Sequence, residues 1–219
     1  MKCFFDKRAS MTLGDIDLQL INKQRSGGGE IEAEDRARIF VLLDGEVIFK
    51  VKDKGYKAKR SDVFSVKPAA LYLPPNRTAR IERKSDGFLM LSAAIRAGLD
   101  GYPRIIKQKD VKTEYKGKGG TRKKERSIFS NDSFSCGETI CLPGKWSVSE
   151  CDGFKALFFA LRPKNGLGFV RTKSKGHEEV NRIDEGCIIS FDGGEETIAA
   201  EPDTTICALW FMNKVNNAR

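Results

Sequence analysis

The sequence predicts an all-β chain built as two serial β-barrels of jelly-roll type. Three observations carry that expectation. Short apolar runs recur along the whole length between Pro, Gly and Asp-Gly signals, no helical period persists through a long segment, and the second half repeats the strand–Pro/Gly–strand plan of the first. The expected organisation is a first barrel over 1–103, a basic connector over 104–126 and a second barrel over 127–219.

Taken in order, residues 16–21 form the first apolar run. Ser26-Gly27-Gly28-Gly29-Glu30 reads as a flexible turn, because a phosphate-cradling loop would need a following Lys-Ser/Thr and a helix. Asp44-Gly45 joins two β-branched and aromatic runs, 38–43 and 46–51, which is a hairpin signal. The run 69–73 stops at Pro74-Pro75, residues 79–83 alternate with period two, and 88–91 closes the half. In the second half, 138–142 stops at Pro143-Gly144, and 154–161 runs into a turn at 162–166. Strands at 167–172, 186–191, 197–200 and 204–212 follow, with Asp192-Gly193-Gly194 between the middle two.

Composition narrows the function classes. The 219 residues are 40% hydrophobic, enough for a core, and the most apolar stretch, 88–95, is far too short to span a membrane. The opening MKCFFDKRAS lacks a secretory apolar core, so a cytoplasmic location is expected. Reduced, buried thiols are then the reading for Cys3, Cys136, Cys141, Cys151, Cys187 and Cys207. Net charge is +9, and residues 104–126 alone carry ten basic and three acidic side chains. With Tyr115 as its only aromatic, that stretch lacks a stacking platform for nucleic acid, and a small anion is the better match.

The segments "RIFVLLDGEVIF", "SDVFSVKPAALYLPPNRTARIE" and "LMLSAA" resemble the N-terminal half of 5-deoxy-glucuronate isomerases. "EYKGKGGTRKKERSIF", "GETICLPGKWS", "RPKNGLGFVR" and "NRIDEGCIISFDGGEETIAAEPD" are similar to their C-terminal half. The resemblance, which extends to the related 5-keto-4-deoxyuronate isomerases, runs from about Gly29 to Met212. It implies a bicupin and aldose–ketose isomerisation of a sugar acid, as in myo-inositol catabolism. It also implies a divalent metal held in the second barrel by His-x-His, a Glu and a later His.

The sequence departs from that pattern at the metal. The ligand-bearing loop looks deleted at 148–153, Lys155 stands where the Glu would align, and Glu196 falls near the last His. The one histidine, His177, lies in a charged loop. No metal and no other cofactor are therefore expected. A cluster of Cys136, Cys141, Cys151 and His177 lacks zinc-knuckle spacing. Among Glu138, Glu150, Asp152, Glu195 and Glu196, most read as exposed acids beside turns, and Glu196 is the candidate base. Lys118, Arg122 and Arg126 are the candidate partners of a carboxylate, within the basic group that also holds Lys116, Lys123 and Lys124. Two functions compete: an isomerase working through an unusual site, and a non-catalytic bicupin that binds a carboxylated sugar or other anion. A homo-oligomer is compatible with either.

Overall fold

In a computed structural model the chain is described over residues 2–3, 10–13, 16–23, 29–95, 101–163 and 165–213. Of the glycine turn expected at 26–30, positions 26–28 lie outside these residues, while Gly29 and Glu30 belong to a strand and not to a turn. The strands are β1 (Lys2–Cys3), β2 (Ser10–Leu13), β3 (Ile16–Lys23), β4 (Gly29–Ile31), β5 (Ala37–Val51) and β6 (Lys54–Arg60). Next come β7 (Ala70–Leu73), β8 (Ala79–Ile95), β9 (Arg104–Ile106), β10 (Lys112–Lys116), β11 (Lys123–Ser130) and β12 (Phe134–Cys141). The last are β13 (Trp146–Arg162), β14 (Gly168–Ser174), β15 (His177–Ile183), β16 (Cys187–Ala200) and β17 (Thr205–Asn213). Single 3-10 turns at Gln108–Asp110 and Gly119–Thr121 are the only helix among the described residues.

The strands divide into two antiparallel sheets, one in each of two units. Asp6–Val111 form one unit, and Met1–Phe5 with Lys112–Arg219 form the other. The first unit's sheet runs β2-β3-β8-β5-β7-β9, with β4 on β8 and β6 on β5. The second runs β10-β11-β12-β17-β13-β16-β14-β15, with β1 on β16. Among the described residues the pairing path is open at both ends in each sheet. The basic stretch is shared out: β9 pairs with β7 in the first unit, and β10 and β11 pair with each other in the second.

Local sequence explains the strands. Val47 and Phe49 of β5 are fully buried while their neighbours are half-exposed, the period-two pattern of a sheet with one inward face. All four residues of β7 are buried, flanked by β5 and β9, and Pro74 then ends the strand. Residues 79–83 alternate as expected, but they continue without a break through 88–91 as one strand of 17 residues.

Asp44-Gly45 is not the expected hairpin turn. It lies inside β5, and the register against β8 shifts on both sides of it. Gly45 has φ +96°, and a Cβ there would meet the Gly87 carbonyl oxygen at 2.5 Å. The dipeptide bends a strand through a bulge, a use of glycine as natural as a turn. The hairpin itself closes at Lys52-Asp53, where Val51 pairs with Lys54. Asp192-Gly193-Gly194 likewise lies within β16, opposite a bulge at Asp152-Gly153 of β13.

Candidate functional site

Side chains alternate across a strand, so register shows which residues share a face. In the second unit, Lys155 lies opposite Phe191 on β16 and Met212 on β17, both part of an apolar inner face with Leu157, Phe159, Ile189 and Trp210. Two residues past Gly194, Glu196 lies between Ser149 of β13 and Thr172 of β14. The two charges meet: Lys155 Nζ donates to Glu196 Oε1 at 2.6 Å, with the side chains 6% and 2% exposed. The ammonium also lies 5.7 Å from the centre of the Trp210 ring. Gly137 on β12 makes room for that indole, since a Cβ there would meet Trp210 Cζ2 at 2.5 Å.

Burial pushes the Glu196 carboxyl above its ordinary pKa, and the neighbouring Lys155 charge and hydrogen bond only partly oppose that shift. Glu196 Oε2 is buried without a hydrogen-bond partner, as is Ser147 Oγ two positions before Ser149. Beside this pair sits a second one. Lys123 Nζ donates to the Val148 carbonyl at 2.8 Å and to Ser149 Oγ at 3.0 Å, and it pairs with Glu125 at 2.8 Å. Lys116 reaches the other oxygen of Glu125 at 2.6 Å. Burial would raise the Glu125 pKa, but these two lysines outweigh it and hold the carboxyl low. A line of charge and hydroxyl groups therefore runs inward from the exposed Lys116 through Glu125, Lys123 and Ser149 to the strand position opposite, Glu196, and on to Lys155.

The basic residues singled out from the sequence do not converge. Lys118 and Arg122 are exposed, and Arg122 lies over the Tyr115 ring at 5.5 Å. Arg126 is 1% exposed and binds Glu138, its neighbour across β11 and β12, at 3.0 Å. That guanidinium holds a buried carboxylate across the two strands. Glu138 accordingly is not the exposed acid expected; it is fully buried. Glu150 and Asp152 are exposed and Glu195 half-buried, and His177 is exposed at the start of β15. Cys136, Cys141, Cys151, Cys187 and Cys207 are buried. Ser147, Ser149 and Trp210 carried no sequence signal, because their inward direction depends on a register set by the β13 bulge.

The divalent ion implied by the resemblance finds no fitting donor set. Among the described residues no group of three or more His, Cys, Asp or Glu could hold a metal. The ammonium of Lys155 already occupies one oxygen of Glu196, and like charge opposes a cation there. Cavities of about 490 and 660 Å³ lie in the first unit. We take the second unit as the candidate site because its polar groups are buried and only partly satisfied.

A model of the KduI/IolB family matches residues 5–219. No curated protein matches the sequence. Among solved structures, an IolB-like protein of Salmonella typhimurium LT2 is similar at TM-score 0.85 and 16% identity, over 98% of this chain and 92% of that one. The protein Ylba of E. coli is similar at TM-score 0.65 and 10% identity, over 92% and 81% of the two chains. An oxalate decarboxylase of Bacillus subtilis, described with Mn(II) centres, is similar at TM-score 0.65 and 10% identity, over 93% and 70%. At such identities these likenesses bear on the fold alone. No helix among the described residues is long and apolar enough to cross a membrane.

Proposed function

We propose, because this chain belongs to the KduI/IolB family, that it is a sugar-acid protein of the aldose–ketose isomerase lineage, with its two units as the serial jelly-roll barrels of a bicupin. Its ligand is a small carboxylated sugar, received in the cytoplasm on the inner face of the second unit. The observation that carries this reading is the buried Lys155–Glu196 pair with its one unsatisfied oxygen. A sugar acid supplies both complements: a hydroxyl to donate to Glu196 Oε2, and an oxygen to accept from Lys155. Lys118 and Arg122 act as exposed cations that draw the carboxylate in, whereas Arg126 serves the fold. No metal takes part.

Isomerisation of an open-chain sugar moves a proton between adjacent carbons, and on this site that transfer falls to Glu196. A lone general base contributes roughly 10²–10⁴-fold, well below the rate enhancements enzymes reach. Lys155 also holds Glu196 in a 2.6 Å hydrogen bond, which favours a second reading, binding without turnover. Slow isomerisation at most is the expected outcome. The test is calorimetric binding and NMR-followed turnover of 5-deoxy-glucuronate and related uronates, with chelator present. Binding that weakens in salt and disappears in Glu196→Gln supports the reading. Chelator-resistant, rapid turnover abolished by Glu196→Gln would instead establish a metal-independent isomerase. Failure of every uronate to bind would remove sugar acids as the ligand.

A further inference from the structure

The first unit holds a cavity of about 490 Å³ against the inner face of its sheet. Its floor is apolar, with Phe40, Ile81 and Phe88 drawn from the unit's core. Its other end is polar, because Arg38, Ser92 and Gln19 stand on the same face across β5, β8 and β3. A volume of this size, apolar with a few convergent polar groups, is the ordinary form of a small-molecule site.

Arg38 gives the cavity its chemistry. The residue is 6% exposed, and its Nη1 donates to Glu34 Oε1 at 2.9 Å while Nη2 donates to backbone carbonyls. Its Nε is buried with no hydrogen-bond partner. A buried donor left unsatisfied is unfavourable, so an acceptor supplied from the cavity is welcome there. The charge of that acceptor is constrained by its surroundings. Arg36 pairs with Asp17 and Glu34, so the two guanidiniums face two carboxylates, and Glu30 and Glu32 add exposed negative charge at the edge. An anion would meet that excess, and a simple cation offers nothing to Nε. Hydroxyl groups both accept and donate, which suits a rim that mixes a guanidinium donor, the Ser92 hydroxyl and carboxylates. The aromatic floor suits a C–H face.

We infer that the cavity of the first unit, built on Arg38, Ser92 and Phe40, is a second ligand site that binds an uncharged cyclic polyol or sugar. The ring sets a hydroxyl oxygen toward Arg38, whose guanidinium lies over the Phe40 ring at 5.9 Å, and its C–H face toward Ile81 and Phe88. This site is independent of the one in the second unit and takes the neutral counterpart of its ligand class.

The experiment is saturation-transfer NMR on the full chain with methyl glucopyranoside, methyl galactopyranoside and methyl mannopyranoside, and with glucuronate as the anionic comparison. At least one neutral pyranoside should receive transfer that is insensitive to salt. Ser92→Leu, which fills the cavity, should weaken it by about tenfold or more. Gln19→Trp, an exposed position at the cavity edge, should do the same without touching the core. The inference is overturned if no neutral pyranoside binds, if glucuronate alone binds, or if binding survives both cavity variants.

Discussion

A buried ammonium and a buried carboxylate stabilise a fold only through each other. For Lys155 and Glu196, removal of one partner leaves an uncompensated charge among Leu157, Phe191 and Met212, and such breaks are typically unfavourable by about 3–5 kcal/mol. Lys155→Met and Glu196→Leu should each destabilise by that order in denaturant titrations, while the double variant Lys155→Met/Glu196→Leu should recover most of the loss. Equal, additive losses would show that the two side chains do not act as a pair. The same reasoning separates Arg126 from its exposed neighbours. Arg126→Ala should lower stability by about 3–5 kcal/mol, because it strands Glu138, whereas Arg122→Ala should leave stability within about 0.5 kcal/mol. Glu125 adds a pH dependence. Its carboxyl is held below the ordinary value by Lys116 and Lys123, so its contribution is present above the carboxylate range and is lost as pH falls through the lowered folded value. Glu125→Gln should flatten the acid limb of the stability–pH profile, and an unchanged limb would remove this residue from the account.

At the scale of elements, four of the five Asp-Gly dipeptides, at 44–45, 86–87, 152–153 and 192–193, lie inside long strands. Those at 44–45 and 152–153 sit at marked register shifts, with the other two opposite them. Composition alone cannot tell such a bulge from a turn, since both need glycine's backbone freedom. The difference lies in the partner strand, which the local sequence does not display. This is why the apolar runs of the sequence coincide with strands, while β5, β8 and β16 each read from the sequence as two. Gly45→Ala tests the bulge. Its Cβ would press on backbone, the Gly87 oxygen at 2.5 Å and the Phe88 Cα at 2.8 Å, and φ is +96°. The expected loss exceeds the ~1 kcal/mol of an ordinary unfavourable glycine replacement. A neutral or stabilising outcome would mean the bulge is not held in this form.

At the scale of the whole molecule, the all-β class and the repeated plan were legible because strand periodicity and proline stops are local properties. The candidate site was legible only in outline. Glu196 and Lys155 stood out as departures from a family pattern, but that they bond to one another depends on the pairing of β13 with β16. The first unit's cavity was illegible, since Asp17, Arg38 and Ser92 come together only through β3, β8 and β5. The same assembly bears on metal dependence. A resident divalent ion raises the folded state's stability in proportion to RT ln(1 + [L]/Kd), so stripping it lowers the melting temperature. In this chain the ammonium of Lys155 holds Glu196, and no three candidate ligands converge among the described residues. Thermal denaturation with and without a strong chelator should therefore give the same melting temperature, and metal analysis of the purified protein should find no stoichiometric zinc, iron or manganese. A fall of several degrees on chelation, reversed by one of these ions, would require ligands to form around an ion that Lys155 now excludes. The ammonium would then have to leave Glu196, so Lys155→Met should strengthen such binding, which makes the two outcomes separable in a single pair of melting curves.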